Sequence, residues 1–594
     1  MLFRTASYWY LGGILLVAWS LNFATLNPLD IKTILVRLMV LGVAALLTLR
    51  GLRMGVFKFP HTSVLFPSLL YGLFLTVTTC LHPYPRWQVL FDQWILLLGF
   101  WEAIVLFPDA SGLRKLLTTL IIAGIPVCLY SLLQVSGYDP LTWPRQDLNP
   151  VGSTFGNRNY LTYFLLALYP FSGFLLLQGT RIQKWLAGFA LPLLIATLLC
   201  NNSRAGQGIL LITAPLMVIF FAKSFRKIPL RNTLYVMAGF LSLAIFVGLG
   251  WGIYRIHSLP FSALDNLTHM RLSLWKQALH IIQDGAIFGH GAGSFVTWIG
   301  KFREEPFGYG FGIEQWIGSS HNMVLDVLVE SGIVGLFLFA ISIFQGTGIC
   351  SRIRRSAPFF LTLQGASLLA LLCVGLFAMI GEEANTTFCT MYSWLALGIC
   401  YIAFSGRLRV FHLGPISAVT KGVTIALLVL LLGAYVVRES TELYSNTLTL
   451  QAIRLPSDPP KTKALLLARA IQFDPWNLSA RNILAQVALN TKHFQVAQEQ
   501  LQAIQEQQPF FANIHQGLGF VAFAQKRYPE AIRELQIAQR CFPMEYETQI
   551  QLAKAYFLVG DYENCQLRCA FILGNGLGTP DAQRLWAMNQ KKLQ

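Results

Sequence analysis

Charged residues are scarce in this chain: Asp, Glu, Lys and Arg make up 12% of its 594 residues, whereas hydrophobic residues make up 54%. A single soluble core is excluded, because such a chain would leave too much apolar surface in water. Acidic residues are the scarcer charge, with 28 against 45 basic residues and a formal net charge of +17. The basic residues stand in short loops between apolar runs, where they indicate membrane topology, so we expect no nucleic-acid partner.

Paired cysteine motifs are also lacking. The ten cysteines are scattered, with no pair of CxxC motifs and no Cys/His spacing typical of a metal site. Most lie in apolar runs and are interpreted as small hydrophobic side chains. Cys541, Cys565 and Cys569 stand near the C-terminus, where an oxidising compartment would allow a disulfide. No cleavable signal peptide is evident, so we expect the first apolar run to act as an uncleaved anchor.

Long apolar runs are abundant, and each is long enough to span a membrane as a helix. They lie near residues 8–24, 32–49, 62–80, 88–107, 115–134, 160–178, 184–200, 207–222, 232–253, 322–350, 359–380, 387–404 and 418–437. The sequence therefore predicts an all-α, polytopic membrane bundle of about 13 spans, covering residues 1–437.

The distribution of basic residues predicts the orientation. If the N-terminus is cytoplasmic, every even loop carries a cluster of Lys and Arg, as the positive-inside rule requires. The same count places a large loop at about 254–320, and everything after residue 437, on the outer side. In a bacterial inner membrane that side is the periplasm.

A repeat of 34 residues occupies the C-terminal part. Proline recurs at 475, 509 and 543, and an aromatic residue recurs at 494, 528 and 562. This spacing is typical of tetratricopeptide (TPR) repeats, which are paired helices with aromatic packing anchors. We expect repeats at about 478–511, 512–545 and 546–579 in a periplasmic domain of residues 438–594. A solenoid of this kind often binds a protein or peptide partner.

One stretch, Ser319–Gly335, combines a polar start with an apolar helix. If Ser319 or Ser320 is the N-cap, His321 lies in the first turn, on a stripe that Gly332 and Gly335 share. The positive end of the helix dipole would favour a neutral imidazole, as a general base needs. The glycines would let another helix approach closely. The alternative is an interfacial histidine beside a cap.

Three arginines stand in predicted outer segments, where the orientation bias disfavours them. Arg204 lies in a very short connection, Arg271 begins Arg-Leu-Ser-Leu-Trp in the large loop, and Arg158 precedes the sixth span. The alternatives are a side chain extending to lipid headgroups for Arg204 and a solvated loop helix for Arg271.

Together these motifs resemble the O-antigen ligase and polymerase superfamily. The resemblance rests on Gly156-Asn157-x-Asn159, Ser203-Arg204-Ala205, Arg271-x3-Trp275-x2-Ala278-Leu279 with Gly289-x-Gly291, and His321-Asn322-x9-Gly332-x2-Gly335. These motifs occur in this order across roughly residues 150–350. Arg158 departs from the pattern, because many relatives carry proline at that place.

The resemblance implies an all-helical membrane glycosyltransferase (GT-C-like) that needs no metal and no cofactor. Such an enzyme moves a glycan from undecaprenyl pyrophosphate to an acceptor hydroxyl outside the inner membrane, as in lipopolysaccharide or polysaccharide biosynthesis. His321 would be the general base. Arg204, Arg271 and Arg158 would hold the pyrophosphate by paired donors, with Asn322, Ser203, Trp275, Gly332 and Gly335 in support.

Alternatives remain at this point. The acceptor could be a lipid A core, a growing glycan or a protein, and the residues do not choose among them. A metal-dependent site would need converging carboxylates, but the pairs at 304–305 and 382–383 diverge by about 100° on a helix. Asp92 and Glu102, within the fourth span, are costly in lipid, and a buried hydrogen-bonding role is the simpler interpretation. A transporter or export scaffold is the alternative of another class.

Overall fold

The computed structural model describes most of the chain. It covers residues 1–23, 25, 29–141, 152–222, 261–302, 317–351, 355–380, 387–414, 416–456, 460–543, 545–576 and 580–593, with side chains described outside 219–222, 261–270 and 512. The predicted span at 232–253 lies outside the described residues.

Helices dominate the first three quarters of the chain, as backbone satisfaction in lipid requires. They are α1 (Leu2–Trp19), α2 (Asp30–Met54), α3 (Thr62–Leu81), α4 (Trp87–Leu106), α5 (Ala110–Val135), α6 (Arg158–Gln178), α7 (Arg181–Cys200), α8 (Arg204–Ala222), α9 (Phe261–Asp284), α10 (Met323–Gly346), α11 (Pro358–Ala378), α12 (Thr387–Phe404) and α13 (Ala418–Arg454). Single short turns occur at Ser153–Phe155, Phe295–Trp298 and Ile299–Phe302.

Ten of these helices are long and apolar enough to cross a membrane, so the chain is a multi-pass membrane protein. The ten are α2 to α7 and α10 to α13, while α8 contains a shorter apolar helix. Buried residues make up 83% of the apolar window of α6 and 89% of that of α12, but none of that of α13. The centre of the bundle is therefore α6 and α12, and α13 stands at its edge.

A small antiparallel sheet joins two distant loops. Strand β1 (Val56–Pro60) pairs with β2 (Leu408–His412). The pairing requires both loops to lie on one face of the bundle, and both carry basic residues that predict the cytoplasmic side. We call this the sheet face. Helix α3 runs away from β1, so residue 82 lies on the opposite face.

Arg37 forms a buried ion-pair network that ties α2, α4 and α13 together. Its Nε and Nη2 donate to the two Asp92 carboxylate oxygens at 2.6 and 3.0 Å, and its Nη1 donates to Glu439 Oε1 at 2.9 Å. Thr387 Oγ1 also donates to Asp92 at 2.8 Å. Asp92 therefore has the buried hydrogen-bonding role. Glu102 differs, since neither carboxyl oxygen has a hydrogen-bond partner among the described residues.

Helix α13 continues without a break from the bundle into the C-terminal domain. Its 37 residues extend about 56 Å, well beyond the roughly 30 Å hydrocarbon core. The predicted domain boundary at 437/438 thus falls inside a continuous helix. Ser445, near its end, donates to the carbonyl of Ala470 in the following helix at 2.8 Å.

The C-terminal domain is a series of helical pairs. After α14 (Pro460–Phe473) come α15 (Leu478–Asn490), α16 (Phe494–Gln505), α17 (Ala512–Ala524), α18 (Tyr528–Cys541), α19 (Tyr546–Val559), α20 (Tyr562–Gly574) and α21 (Pro580–Leu593). Each predicted 34-residue range holds one pair, and small residues such as Ala485 and Ala553 are fully buried where the helices pack. The tetratricopeptide assignment stays a prediction.

Candidate functional site

His321 lies immediately before α10 and not in its first turn, which corrects the predicted position. The helix begins at Met323 and its N-cap is Asn322. The Asn322 side-chain oxygen accepts hydrogen bonds from the backbone N–H groups of Val324 at 3.0 Å and Leu325 at 3.2 Å. Asn322 thereby satisfies two N–H groups that have no partner within the helix, which is why the helix starts there and not after a serine.

Backbone contacts hold the histidine in an unusual conformation. His321 has a φ of 58°, in the left-handed region that few non-glycine residues adopt. Its N–H donates to Ser319 Oγ at 3.2 Å. The neighbouring Ser320 N–H donates to the buried Asp326 carboxylate at 2.7 Å. The side chain of Asp326 therefore anchors the segment that carries His321.

Gly332 breaks α10 into two segments, so the predicted stripe from His321 to Gly335 is not one continuous helical face. Gly332 has φ 62° and ψ −166°, a combination that is essentially restricted to glycine. The N–H groups freed after the break donate to the loop that follows α9. Ile333 bonds the carbonyl of Ala286 at 2.9 Å, and Val334 bonds that of Ile287 at 3.3 Å.

The glycine-rich segment after α9 donates hydrogen bonds to the carbonyl groups that precede the break in α10. The N–H groups of His290 and Gly291 donate to the carbonyls of Val329 and Glu330, both at 2.8 Å. Gly293 N–H donates to the buried Glu330 carboxylate at 2.8 Å. The large loop and the helix after His321 are thus joined by backbone hydrogen bonds on both sides of the break, as expected for irregular backbone covered by protein.

The sequence predicts that Gly332 and Gly335 let a second helix approach closely, and the structure shows which elements approach them. A Cβ added to Gly332 would lie 2.3 Å from the carbonyl oxygen of Ile287, so the element that approaches is a loop. At Gly335 the nearest atoms belong to Ser331 of the same helix, followed by the Phe74 ring of α3 at 3.2 Å. Close approach is therefore real at both positions, but a second helix approaches only at Gly335.

Helices α6 and α8 begin side by side. Ser203 Oγ donates to Asn159 Oδ1 at 3.3 Å, and Asn201 Nδ2 donates to Thr162 Oγ1 at 2.7 Å. A Cβ on Gly206 would lie 2.2 Å from Thr162 Cγ2, so the two helices cross closely there. These contacts bring two helix N-termini, each with a positive dipole end, to one place.

An arginine is the first residue of each of these helices. Arg158 begins α6 after the N-cap Asn157, and Arg204 begins α8. Arg204 is exposed and makes no side-chain hydrogen bond or ion pair with any residue that the structure describes. The sequence motifs of residues 156–159 and 203–205 thus come together in space.

Arg271 lies in the middle of α9, not at the start of a helix. One turn later, Leu274 belongs to the same buried cluster as Ile317 and Leu325. The C-terminal end of α9 leads into the glycine segment beside the break in α10. Arg271, ten residues into α9, therefore lies toward the N-terminal end of α10, which follows His321. Within the described residues its guanidinium has no hydrogen bond, and the buried Trp275 Nε1 has no acceptor.

A cavity of about 410 Å³ is lined by Tyr163 of α6 and by Met323 and Asp326 at the start of α10, but not by His321, Arg158, Arg204 or Arg271. Its polar lining includes Tyr163, Asp326, Glu330 and Ser393, and Met323 also contributes. Most of its remaining lining consists of apolar side chains of α10, α11 and α12. Helices α6 and α10 therefore share one cavity, whose lining is mostly apolar with several polar side chains.

The C-terminal domain docks beside this region through a tryptophan. Trp298 Nε1 donates to His82 Nε2 at 2.8 Å, and its ring lies 5.4 Å from that of Phe510. Burial, with the neighbouring His290, lowers the pKa of His82 to about 4, so the imidazole is neutral at pH 7. We call the surface formed by residues 82–86, 201–203, 285–302 and 317–322 the His321 face.

Acidic residues do not form a metal site in the described part of the chain, where no group of three or more His, Cys, Asp or Glu side chains converges. The pairs at 304–305 and 382–383 lie outside the described residues. Metal independence stays a prediction.

The comparisons with known proteins bear on the middle of the chain. Residues 187–340 match the family model described as O-antigen ligase. This match supports the O-antigen ligase superfamily and a ligase- or polymerase-like membrane glycosyltransferase. It includes Arg204, Arg271 and His321, whereas Arg158 precedes it. No curated protein matches the chain.

Three features of the site escape sequence reasoning. Asp326 and Glu330 anchor the segments around His321, and Arg86 acts electrostatically on Glu330. A signal for the two carboxylates exists: acidic residues in a predicted span, four apart, lie on one helical face and are costly unless partnered. The location of Arg86 has no such signal, because it depends on how separate loops pack.

Proposed function

We propose that the protein transfers a glycan from undecaprenyl pyrophosphate to an acceptor hydroxyl on the His321 face, in the manner of an O-antigen ligase. In the bacterial inner membrane that face would be periplasmic. The observation that carries the proposal is the pairing of α6 and α8, which brings two helix N-termini and two arginines together. Helix α6 and the start of α10, which follows His321, also line one cavity.

The donor pyrophosphate suits the paired helix starts. Helix N-termini present backbone N–H groups to phosphate oxygens, and arginine adds a planar fork of donors. Arg204 and Arg271 have no acceptor among the described residues, so a ligand would supply one. The mostly apolar lining of the cavity suits a polyprenyl chain.

The chemical step needs a base and a charged leaving group. His321 takes the proton of the acceptor hydroxyl as the oxygen bonds to the anomeric carbon of the glycan. The bond from that carbon to the pyrophosphate oxygen breaks, and the electron pair leaves with undecaprenyl pyrophosphate. Arg204, Arg271 and Arg158 stabilise the charge on the leaving group, so no acid is required.

His321 is suited to this role by its backbone. The left-handed φ and the hydrogen bonds of Ser319 and Asp326 to the segment fix the backbone that carries the imidazole just before α10, which favours a positioned base over a mobile surface residue. Asn322 supports it as the N-cap.

Deletion followed by complementation tests the proposal. The surface molecule that loses its glycan in a deletion strain identifies the acceptor as lipid A core, glycan or protein. Wild-type protein should restore the glycan, and His321→Ala, at equal membrane abundance, should not. No glycan-deficient molecule in the deletion strain would contradict the proposed transfer.

A further inference from the structure

A second cavity lies where the C-terminal domain meets the membrane bundle. It measures about 540 Å³, within the roughly 300–1,000 Å³ typical of small-molecule sites. Its lining comes from the loop before α4, the far part of α13 and the loop between α14 and α15. We call it the junction pocket and define it by Arg86, Gln88, Arg438, Glu442, Asp474 and Trp476.

Trp476 provides an open aromatic face in this pocket. Its side chain is 71% exposed, although the backbone beside it is fixed: its own N–H donates to Asp474 Oδ1 at 3.0 Å. The next residue, Asn477, is buried and donates to Ser445 Oγ of α13 at 2.9 Å. A large aromatic side chain is thus held in water by a rigid loop, where its burial on a ligand would be favourable.

The guanidinium groups of the two arginines in the pocket have hydrogen-bond donors that bond no described residue. Neither Arg86 nor Arg438 makes a side-chain hydrogen bond or ion pair to a described residue, although Arg86 is mostly covered. Glu330 acts on Arg86 through its charge without a hydrogen bond, and burial lowers the pKa of Arg86. Water can satisfy these donors, since Arg438 is exposed and Arg86 is partly exposed, and a ligand could take the place of that water.

The charges of the pocket balance. Glu442 and Asp474 offset the two arginines, and each carboxylate keeps free acceptor capacity: Glu442 accepts from Gln88 Nε2 at 3.2 Å, and Asp474 accepts from the Trp476 N–H. A strongly anionic ligand such as a free phosphate is therefore not favoured over a neutral one. A neutral ligand with many hydroxyl groups would use donors and acceptors together.

We infer that the junction pocket binds a segment of the glycan, with the Trp476 ring against the C–H face of one sugar and the surrounding charged and amide groups bonded to its hydroxyls. The electron-rich face of an indole attracts the positive C–H hydrogens of a sugar ring. The inference rests on the proposed function for the identity of the ligand as a glycan. It adds a binding site remote from the reacting atoms.

The location gives this site a use. Arg86 stands between the junction pocket and Glu330, which lines the cavity beside the His321 segment. A glycan bound at both places would span from the candidate reaction centre to the C-terminal domain. The remote sugars would then add affinity for the glycan equally in the ground state and in the transition state.

Direct binding to the purified full chain tests the inference without requiring transfer. The probes are the oligosaccharides released by mild acid from the cell's own lipid-linked and surface glycans, separated by size. Saturation-transfer NMR detects binding and calorimetry gives its affinity. We expect Trp476→Ala to weaken binding about tenfold and Trp476→Phe to retain most of it. His321→Ala should bind as the wild type does.

Trp185→Ala is the matched control. Trp185 is 75% exposed but lies at the start of α7, on the sheet face, so its loss should leave binding unchanged. Transfer assays separate the two proposals: Trp476→Ala should raise the KM for the glycan and leave kcat unchanged. Trp476-dependent binding without any transfer would contradict the proposed function alone.

Three outcomes would overturn the inference. The first is transfer by a protein that binds no glycan of any size fraction, and the second is equal glycan binding by the wild type and Trp476→Ala. The third is binding of phosphatidylglycerol vesicles alone, with that binding lost in Arg438→Ala. The third result would make the pocket a lipid-headgroup site.

Discussion

Two sets of arginines in this protein have opposite surroundings. Arg37 is 2% exposed and bonds two carboxylates in a closed network. Arg204 and Arg271, on elements of the candidate site, bond no acceptor among the described residues. An arginine that is fully paired holds helices together, whereas one that bonds no described acceptor is available to an anionic ligand. The comparison separates architecture from function within one membrane bundle.

The largest effect should follow from breaking the closed network. Arg37→Ala would leave Asp92 and Glu439 buried without their partner, and removal of one member of a buried pair typically costs about 3–5 kcal/mol. We expect membrane abundance and thermal stability in detergent to fall sharply. Arg50→Ala, which changes an arginine of the same helix outside the network, is the control. Normal stability of Arg37→Ala would show that the network is not architectural.

Substitution of Arg204 or Arg271 should lower glycan transfer without lowering abundance, unlike substitution of Arg37. Arg204→Ala and Arg271→Ala should each lower glycan transfer by about 10²–10³, as the loss of one transition-state donor does elsewhere. Lysine at either position should also lower transfer, though less, because it keeps the charge but loses the planar fork. Abundance should not change. Full activity of both lysine variants would assign these arginines to headgroup contacts.

Gly332 offers a smaller and purely geometric test. Its φ and ψ cost roughly 1–3 kcal/mol for other residues, and an alanine Cβ would lie 2.3 Å from the Ile287 carbonyl oxygen. We expect Gly332→Ala to lower thermal stability and transfer together, by displacing the loop from the helix break. Gly433→Ala is the control, since Gly433 also lies within a helix and no atom lies within 4 Å of an added Cβ there. Equal stability of the two variants would mean that the break is not fixed by the loop.

Much of the architecture can be predicted from the sequence because its causes are local. Twelve of the thirteen apolar runs coincide with described helices, and the remaining run lies outside the described residues. The 34-residue spacing predicts where each helical pair of the C-terminal domain lies. Apolar run length and small-residue periodicity act within one or two elements, so they are visible in a single sequence.

The site is less predictable because its causes are distant in the chain. The sheet joins residues 56–60 to 408–412, and no short-range pattern indicates that pairing. The break at Gly332 is stabilised by the loop at 286–291, so a helical-face argument from His321 across it is wrong. The position of His321 itself was decided by competition between possible caps, in which Asn322 bonds two N–H groups. The motifs predict candidate residues, but only the packing gives their arrangement.

Transfer by purified protein tests the central claim most directly. The chain would be reconstituted in vesicles with the cell's own undecaprenyl-pyrophosphate-linked glycan and with membranes of the deletion strain as acceptor. We expect transfer by the wild type to persist in the presence of a chelator, and transfer by His321→Ala to fall by about 10²–10⁴. Transfer by His321→Ala at the wild-type rate, or activity that a chelator removes and a divalent ion restores, would contradict the account.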